Sequence, residues 1–352
     1  MKKFMILVTI VILGLGLCAN LMAANQTVTN NNDSGAGSLR QAIVDVGSGE
    51  EITFDADYTI TLSSELSISK NLTITGTGAG NTIIQANADP NTATYRVFNI
   101  STGTVILEDM TIRNGNPGMF ENGGGIRDQG TLTLTNCTIS GNTARYGGGI
   151  KNHGPLTLTN CTVSGNSASS DGGGLAFWGT LYIKNTILAN NSATGNGDDF
   201  YYGSGEIVTD NGYNIVEDSY GYTFEATGDI TGEQASLNLS STLADNNTTN
   251  GTQTLKTTSS SVAIDAGSNS GANNGVDPPS QDQRGANRNG ATDIGAYEYY
   301  DNDGSLPVTL TSFTATAGDE KVNIRWITES EIENLGFNIY RSTNSNVKFF
   351  NY

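Results

Sequence analysis

Through the middle third of the chain, apolar and polar residues alternate in short runs, and the runs recur. Leu132 and Leu134 are separated by a threonine, and Cys137 and Ile139 follow across Thr135-Asn136 and Thr138. Leu156, Leu158, Cys161 and Val163 repeat the pattern; Leu181, Ile183 and Leu188 repeat it again, with Thr186 in the cysteine position. Alternation with a period of two marks a strand that buries one face. A glycine triplet precedes each run (Gly123–Gly125, Gly147–Gly149, Gly172–Gly174), and the triplets start 24 and 25 residues apart. A repeat of this length with no helical periodicity inside it predicts a β-solenoid.

Each repeat holds three strands of about three to five residues, enough for one triangular coil, and coils stack about 4.8 Å apart as parallel strands do. Stacking places Leu132, Leu156 and Leu181 in one column, Leu134, Leu158 and Ile183 in a second, and Ile139, Val163 and Leu188 in a third. Weaker coils flank these, at Ile52–Phe54, Leu66–Ile68, Leu72–Ile74, Val105–Ile112, Glu206–Val208 and Tyr213–Val216, for seven to nine coils over residues 51–262. Asn136, Asn160 and Asn185 recur at one bend, and Asn142, Asn166 and Asn191 at the next. The first set is expected to point inward and bond the amides of neighbouring coils, and the second forms another candidate ladder. Both are structural, because a corner leaves backbone groups that need partners.

An open solenoid end exposes strand edges, so capping elements are expected. Residues 25–50 supply one: Ser38-Leu-Arg-Gln41 reads as a capping box opening a short helix, with Leu39, Ala42, Ile43 and Val46 on its buried face. Residues 263–300 are assigned to the other end, where Arg284 pairs with Asp265 or Asp293 to fix irregular loops. From Leu306 the pattern changes to longer alternating runs, Pro307–Ala315, Lys321–Trp326 and Gly336–Tyr340, of sandwich type. About 46 residues follow Leu306, roughly half a sandwich domain, so residues 301–352 read as a linker and a partial domain. The expected class is therefore all-β: a right-handed parallel β-helix with a helical N-terminal cap and a truncated β-sandwich segment.

Composition adds a compartment and excludes partners. Lys2-Lys3, the apolar Phe4–Leu17 and the small residues up to Ala24 form a secretion signal over residues 1–24. Seventeen basic and 35 acidic residues give a formal charge of −18, which becomes −20 once Lys2 and Lys3 leave with the leader. Such a chain repels nucleic acid and anionic membrane. No membrane span remains after cleavage, and a secreted or surface-attached monomer is expected. Cys137 and Cys161 occupy equivalent positions in adjacent coils. Their side chains run parallel, which suits stacked buried thiols better than a bridge.

The repeats resemble those of polymorphic outer-membrane proteins. Gly124-Gly125-Ile126 and Gly148-Gly149-Ile150 match that family's Gly-Gly-Ala/Ile motif. Ile139-Ser-Gly-Asn142, Val163-Ser-Gly-Asn166 and Leu188-Ala-Asn-Asn191 match its Phe-x-x-Asn motif, with an aliphatic in place of phenylalanine. The span from Thr27 to Glu298 is similar to bacterial parallel β-helix proteins of the choice-of-anchor type, through Gly37-Ser-Leu-Arg-Gln-Ala-Ile43, Gly212-Tyr-Asn-Ile215, Ala263-Ile-Asp-Ala-Gly267, Asp282-Gln-Arg-Gly285 and Asp293-Ile-Gly-Ala-Tyr-Glu298. The tail from Leu306 resembles fibronectin type III-like segments. The resemblance implies export to the cell surface and brings no catalytic residues with it.

Two functions compete for such a scaffold. One is non-catalytic adhesion, display or envelope structure with extracellular glycans or surface proteins as partners. The other is a polysaccharide lyase, which needs a base, charge neutralisation of a uronate, and often Ca2+ on clustered carboxylates. No catalytic residue is assigned: the only histidine, His153, sits in a turn sequence. The candidate ligand-binding residues are Arg127 and Lys151, aligned one coil apart, and Phe177-Trp178. That aromatic pair is matched in sequence to Lys151-Asn152 and Arg127-Asp128 of the coils before. Trp178 is either a sugar-stacking platform or packing beneath a loop. No cofactor is required, and the weak Ca2+ candidates are Asp198, Asp199, Asp301 and Asp303.

Overall fold

A computed structural model describes residues 24–77, 82–203 and 205–232, and shorter pieces at 244–245, 253–254, 261–268, 273–275, 278–282, 288, 292–296, 310–318 and 321–328. The leader, apart from Ala24, lies outside them, as do Arg284, Asp301, Asp303 and the strand expected at 336–340. The chain divides into two units, residues 1–299 and 300–352.

The first unit is a parallel β-solenoid of about seven turns. Sheet one stacks eight strands from Gln26–Val28 to Ile207–Asp210, through Thr131–Thr135, Pro155–Thr159 and Thr180–Lys184. Sheet two stacks eight from Thr59–Thr61 to Ile230–Thr231, including Thr138–Ser140, Thr162–Ser164 and Ile187–Ala189. Sheet three stacks seven from Leu66–Ile68 to Ser219–Tyr220, including Ile126–Asp128, Ile150–Asn152, Leu175–Phe177 and Phe200–Tyr202. Every pairing between these strands is parallel and in register, so Leu132, Leu156 and Leu181 lie above one another, as do Ile139, Val163 and Leu188. All six are fully buried. Cys137 and Cys161 are free, buried thiols whose Sγ atoms donate to the carbonyls of Leu107 and Leu134 one coil below. Burial pushes both thiols up, Cys161 to about 12, so neither is a nucleophile.

The bend between sheets one and two is made by a residue with positive φ: Asp109 (54°), Asn136 (57°), Asn160 (51°), Asn185 (49°) and then Gly212 (79°). Asn, Asp and Gly are the residues that take this left-handed conformation most cheaply. The glycine triplets serve a different corner. A Cβ on Gly148 would fall 2.3 Å from the Ser167 carbonyl oxygen and 2.5 Å from that of Gly173, so adjacent coils approach there too closely for any side chain.

Among the described residues the only α-helix is Leu39–Asp45. Ser38 Oγ accepts from the Gln41 amide at 3.2 Å, and Leu39, Ala42, Ile43 and Val46 are buried in the main core with Val28 and Ile52. The return arm of the capping box is missing, because the Gln41 side chain donates to Asp45 at 2.8 Å.

The segment expected to close the far end is described only in part. Its described residues run along the side of the coils. Gly295 N donates to Asn185 O, Ala296 N to Thr162 Oγ1, and the Asn273 amide to Leu158 O. Ala263 and Ile294 cover Ile187, Ala189 and Ile215 on the outer face of sheet two. The guanidinium that ties the segment down is Arg288, which donates to Asp293 O, Gly295 O and Asn136 Oδ1.

In the second unit, Leu310–Gly318 and Lys321–Thr328 form an antiparallel pair with a register irregularity between Leu310 and Ser312.

Candidate functional site

Along each strand of sheet three the middle residue faces outward, and pairing fixes one such row: Ser67, Asn99, Arg127, Lys151, Ala176, Tyr201 and Tyr220. The row changes from polar through basic to aromatic in successive coils. Ala176 is the small step in it, and beside that step lies the half-buried Trp178. Its ring centroid is 5.6 Å from that of Tyr201, and Tyr201 is 5.6 Å from Tyr220. Tyr146 meets Trp178 edge-on at 5.9 Å, and His153, one coil back, stacks on it at 5.9 Å. Arg145 lies over Tyr146 at 5.0 Å. Tyr220, 48 % exposed, forms the aromatic end of the row.

Lys151 sits beneath this layer. Its Nζ is 3.0 Å from the Trp178 ring centroid and 3.4 Å from the Asn152 carbonyl oxygen, and the residue is 2 % exposed. Burial lowers its amine to about 7; the nearby Glu206 raises it and Arg127 lowers it. The ammonium–indole contact orders the indole from below. His153 is likewise held below its ordinary value by burial and by Lys151 and Arg127. Arg127 is half-buried, and among the described residues its guanidinium makes one hydrogen bond, to Asn99 Oδ1 at 3.5 Å.

Three of the four candidate ligand residues thus meet on one face, and the fourth leaves it. Phe177 is fully buried and packs on Phe200 at 5.3 Å and Tyr202 at 5.6 Å. The register pairs Lys151 with Ala176 and Asn152 with Phe177, one residue away from the expected match. In a strand that shift exchanges the two faces. The triplet spacing of 25 residues, carried from Gly149 to Gly174 and on from Lys151 to Ala176, contains the correct register. Tyr146, Tyr201, Tyr220 and Arg145 were absent from the sequence candidates.

The asparagine sets also separate. Asn142, Asn166 and Asn191 are the inward ladder. Each backbone N and Nδ2 donates to the side-chain oxygen of the next coil, Asn142 to Asn166 at 3.0 and 2.9 Å and Asn166 to Asn191 at 2.9 Å. Asn191 donates in the same way to Asp199 Oδ1, at 3.0 and 2.7 Å. Asn136 and Asn185, expected to face inward, instead turn toward the lateral segment, and Asn160, expected to do the same, accepts at Oδ1 from Asn185 Nδ2 at 3.2 Å. Asn136 Nδ2 reaches Gln281 O, and Asn185 Nδ2 reaches Ser268 O.

Asp198 and Asp199 fill backbone roles as well. Gly197-Asp-Asp-Phe200 is the fourth copy of the glycine corner, since Phe200 pairs with Leu175. Asp198 Oδ1 accepts from Ala193 N at 2.6 Å and Asp199 Oδ2 from Asp218 N at 2.9 Å. Burial pushes Asp199 up to about 8 against the hydrogen bonds from Asn191. No group of three or more His, Cys, Asp or Glu close enough to hold a metal occurs among the described residues. No helix there is long and apolar enough to cross a membrane.

No family model, curated protein or solved structure matches this chain.

Proposed function

We propose that this chain is an exported surface protein whose solenoid is a rigid, non-catalytic scaffold, and that the outward row of sheet three binds an extracellular glycan. The observation that carries the reading is the run Lys151–Trp178–Tyr201–Tyr220, in which aromatic rings 5.6 Å apart follow successive coils. Binding sites of this kind combine aromatic surface with a few placed polar groups. Here His153, stacked on the indole, and Arg127, one coil before Lys151, supply those groups. The apolar face of a pyranose suits an aromatic ring, and an extended glycan advances by about one coil per sugar. The leader-like residues 1–24 and the resemblance to choice-of-anchor proteins support export. In this reading the solenoid is right-handed, the Leu39–Asp45 helix caps its first coil, and the 310–328 strand pair begins a fibronectin-like spacer.

A glycan array probed with the mature protein and with a W178A/Y201A variant tests the proposal. The wild type should bind a defined subset of oligosaccharides and the variant should lose it at unchanged circular dichroism. Absence of any binding by the wild type, or equal binding by the variant, overturns it. Release of unsaturated product absorbing in the ultraviolet from any uronate polymer would overturn the non-catalytic part.

A further inference from the structure

We infer that the glycan recognised on sheet three is anionic, and that Arg127 is the residue that pairs with its charged groups. The inference rests on the glycan reading above and adds the chemical class of the ligand. It starts from where the cations of an acidic chain are placed. Residues 24–232 contain eight Lys and Arg, and four of them, Arg96, Arg127, Arg145 and Lys151, lie on or beside sheet three. Arg96 is spent internally on Glu65 at 2.8 Å and Glu121 at 2.9 Å. Arg127 and Arg145 form no ion pair among the described residues. Elsewhere Arg40 pairs with Asp33, Lys70 is bound by the Val44 and Val46 carbonyls, and Arg113, also without an ion pair among the described residues, donates to Gln85 Oε1 at 2.8 Å.

Two guanidinium groups without an ion pair on one face of a chain of charge −18 are the feature to explain. A guanidinium presents a planar fork that matches a carboxylate or sulfate in bidentate fashion. Arg127 stands next to Lys151 in the outward row, and Lys151 lies under Trp178, so its fork is placed for a substituent on a sugar stacked over that indole. Lys151 cannot take this role from above, because the indole covers its ammonium. The acidic remainder of the surface repels a polyanion, so a bound anionic chain is confined to this row. A neutral glycan would take only ordinary hydrogen bonds from either guanidinium, without the charge-assisted bidentate pairing.

The test is isothermal titration of the mature protein with three hexasaccharides: oligogalacturonate, the same chain fully methyl-esterified, and a sulfated galactan. Oligogalacturonate or the sulfated chain should bind at least 10-fold more tightly than the ester, and which of the two wins identifies the anionic group. R127Q should lose most of that preference, lowering affinity for the acid far more than for the ester, with R127K retaining part of it. Equal affinity for acid and ester overturns the anionic class and leaves glycan binding standing. Loss of acid and ester binding together in a folded R127Q would make Arg127 a support for the aromatic row, and that too overturns the inference. If no hexasaccharide binds and the array is also blank, the glycan reading itself falls.

Discussion

The two asparagine columns look alike in sequence, recur with the same period and sit six residues apart, yet they solve different problems. Asn142, Asn166 and Asn191 are buried acceptors and donors in a chain that begins at Gly115 N, which donates to Asn142 Oδ1, and ends on Asp199. Each also gives an Nδ2 proton to a carbonyl of the preceding coil, at Ile112, Ile139 or Val163. Asn136, Asn160 and Asn185 share a left-handed backbone conformation, and beyond it the side chains of Asn136 and Asn185 bind the lateral segment. Asn160 shows the backbone role best: its Oδ1 accepts from Asn185 at 3.2 Å, but its Nδ2 has no partner among the described residues. One column is chosen for side-chain chemistry and the other for φ.

Breaking the inward ladder should have the largest effect. Asn166→Ala removes an acceptor for two protons of Asn142 and a donor to Ile139 O, all buried. Each orphaned group costs about 1–3 kcal/mol, so the variant should lose roughly 3–5 kcal/mol or fail to accumulate folded, as read by urea denaturation. A loss below about 1 kcal/mol would show that the ladder is an ornament of the corner.

The end of the ladder comes next, and it carries a pH signature. Asp199 has a folded pKa of about 8, far above that of an unfolded aspartate, and Asp128, buried beside Asn152, is raised to about 6. A carboxyl group raised on folding stabilises the fold fully below its unfolded pKa, and the contribution is lost as pH climbs through the folded value. Lys151 has the opposite sense. Its amine is lowered to about 7, so its contribution returns as pH rises from there toward the unfolded lysine value. Melting temperature should therefore fall from about pH 4, reach a minimum at pH 7–8, and recover in alkali. Asp199→Asn should flatten the acid limb and Lys151→Met the alkaline one. Asp199→Ala, which leaves two Asn191 protons unpaired, should cost about 2–4 kcal/mol at pH 5. A profile that rises from pH 5 to 8 would contradict the assignment of a neutral Asp199.

What the sequence disclosed follows the same division between local and distant causes. Leucine columns, the Ser38 helix start and the triplet corners depend on residues within one repeat, and alternation alone exposes them. The aromatic row depends on register between repeats. Tyr201 follows Ala176 by 25 residues but Tyr220 follows Tyr201 by only 19, so no fixed period finds both. A slip of one residue was enough to put Phe177 on the wrong face. The lateral segment was hidden more deeply, since Arg288 contacts Asn136 across 152 residues of sequence and carries no periodic mark. Asp199 was legible in principle as a fourth corner, Gly197-Asp-Asp-Phe200. A pair of adjacent carboxylates drew attention toward a cation and away from the repeat.

The smallest predicted effect separates the columns most cleanly. At Asn160 the conformation is left-handed and the side chain is poorly partnered, so alanine and glycine should behave differently although both delete the amide. Asn160→Ala must place a Cβ-bearing residue without local polar compensation at φ 51°, at a cost of about 1–2 kcal/mol. Asn160→Gly takes that φ freely and gives back only unfolded-chain entropy and one 3.2 Å bond, for a net change within about 1 kcal/mol. At Asn166 the same two substitutions should be nearly equal, because there the lost hydrogen bonds dominate and φ does not. If alanine and glycine are instead equivalent at Asn160 and different at Asn166, the two columns have been assigned to the wrong causes.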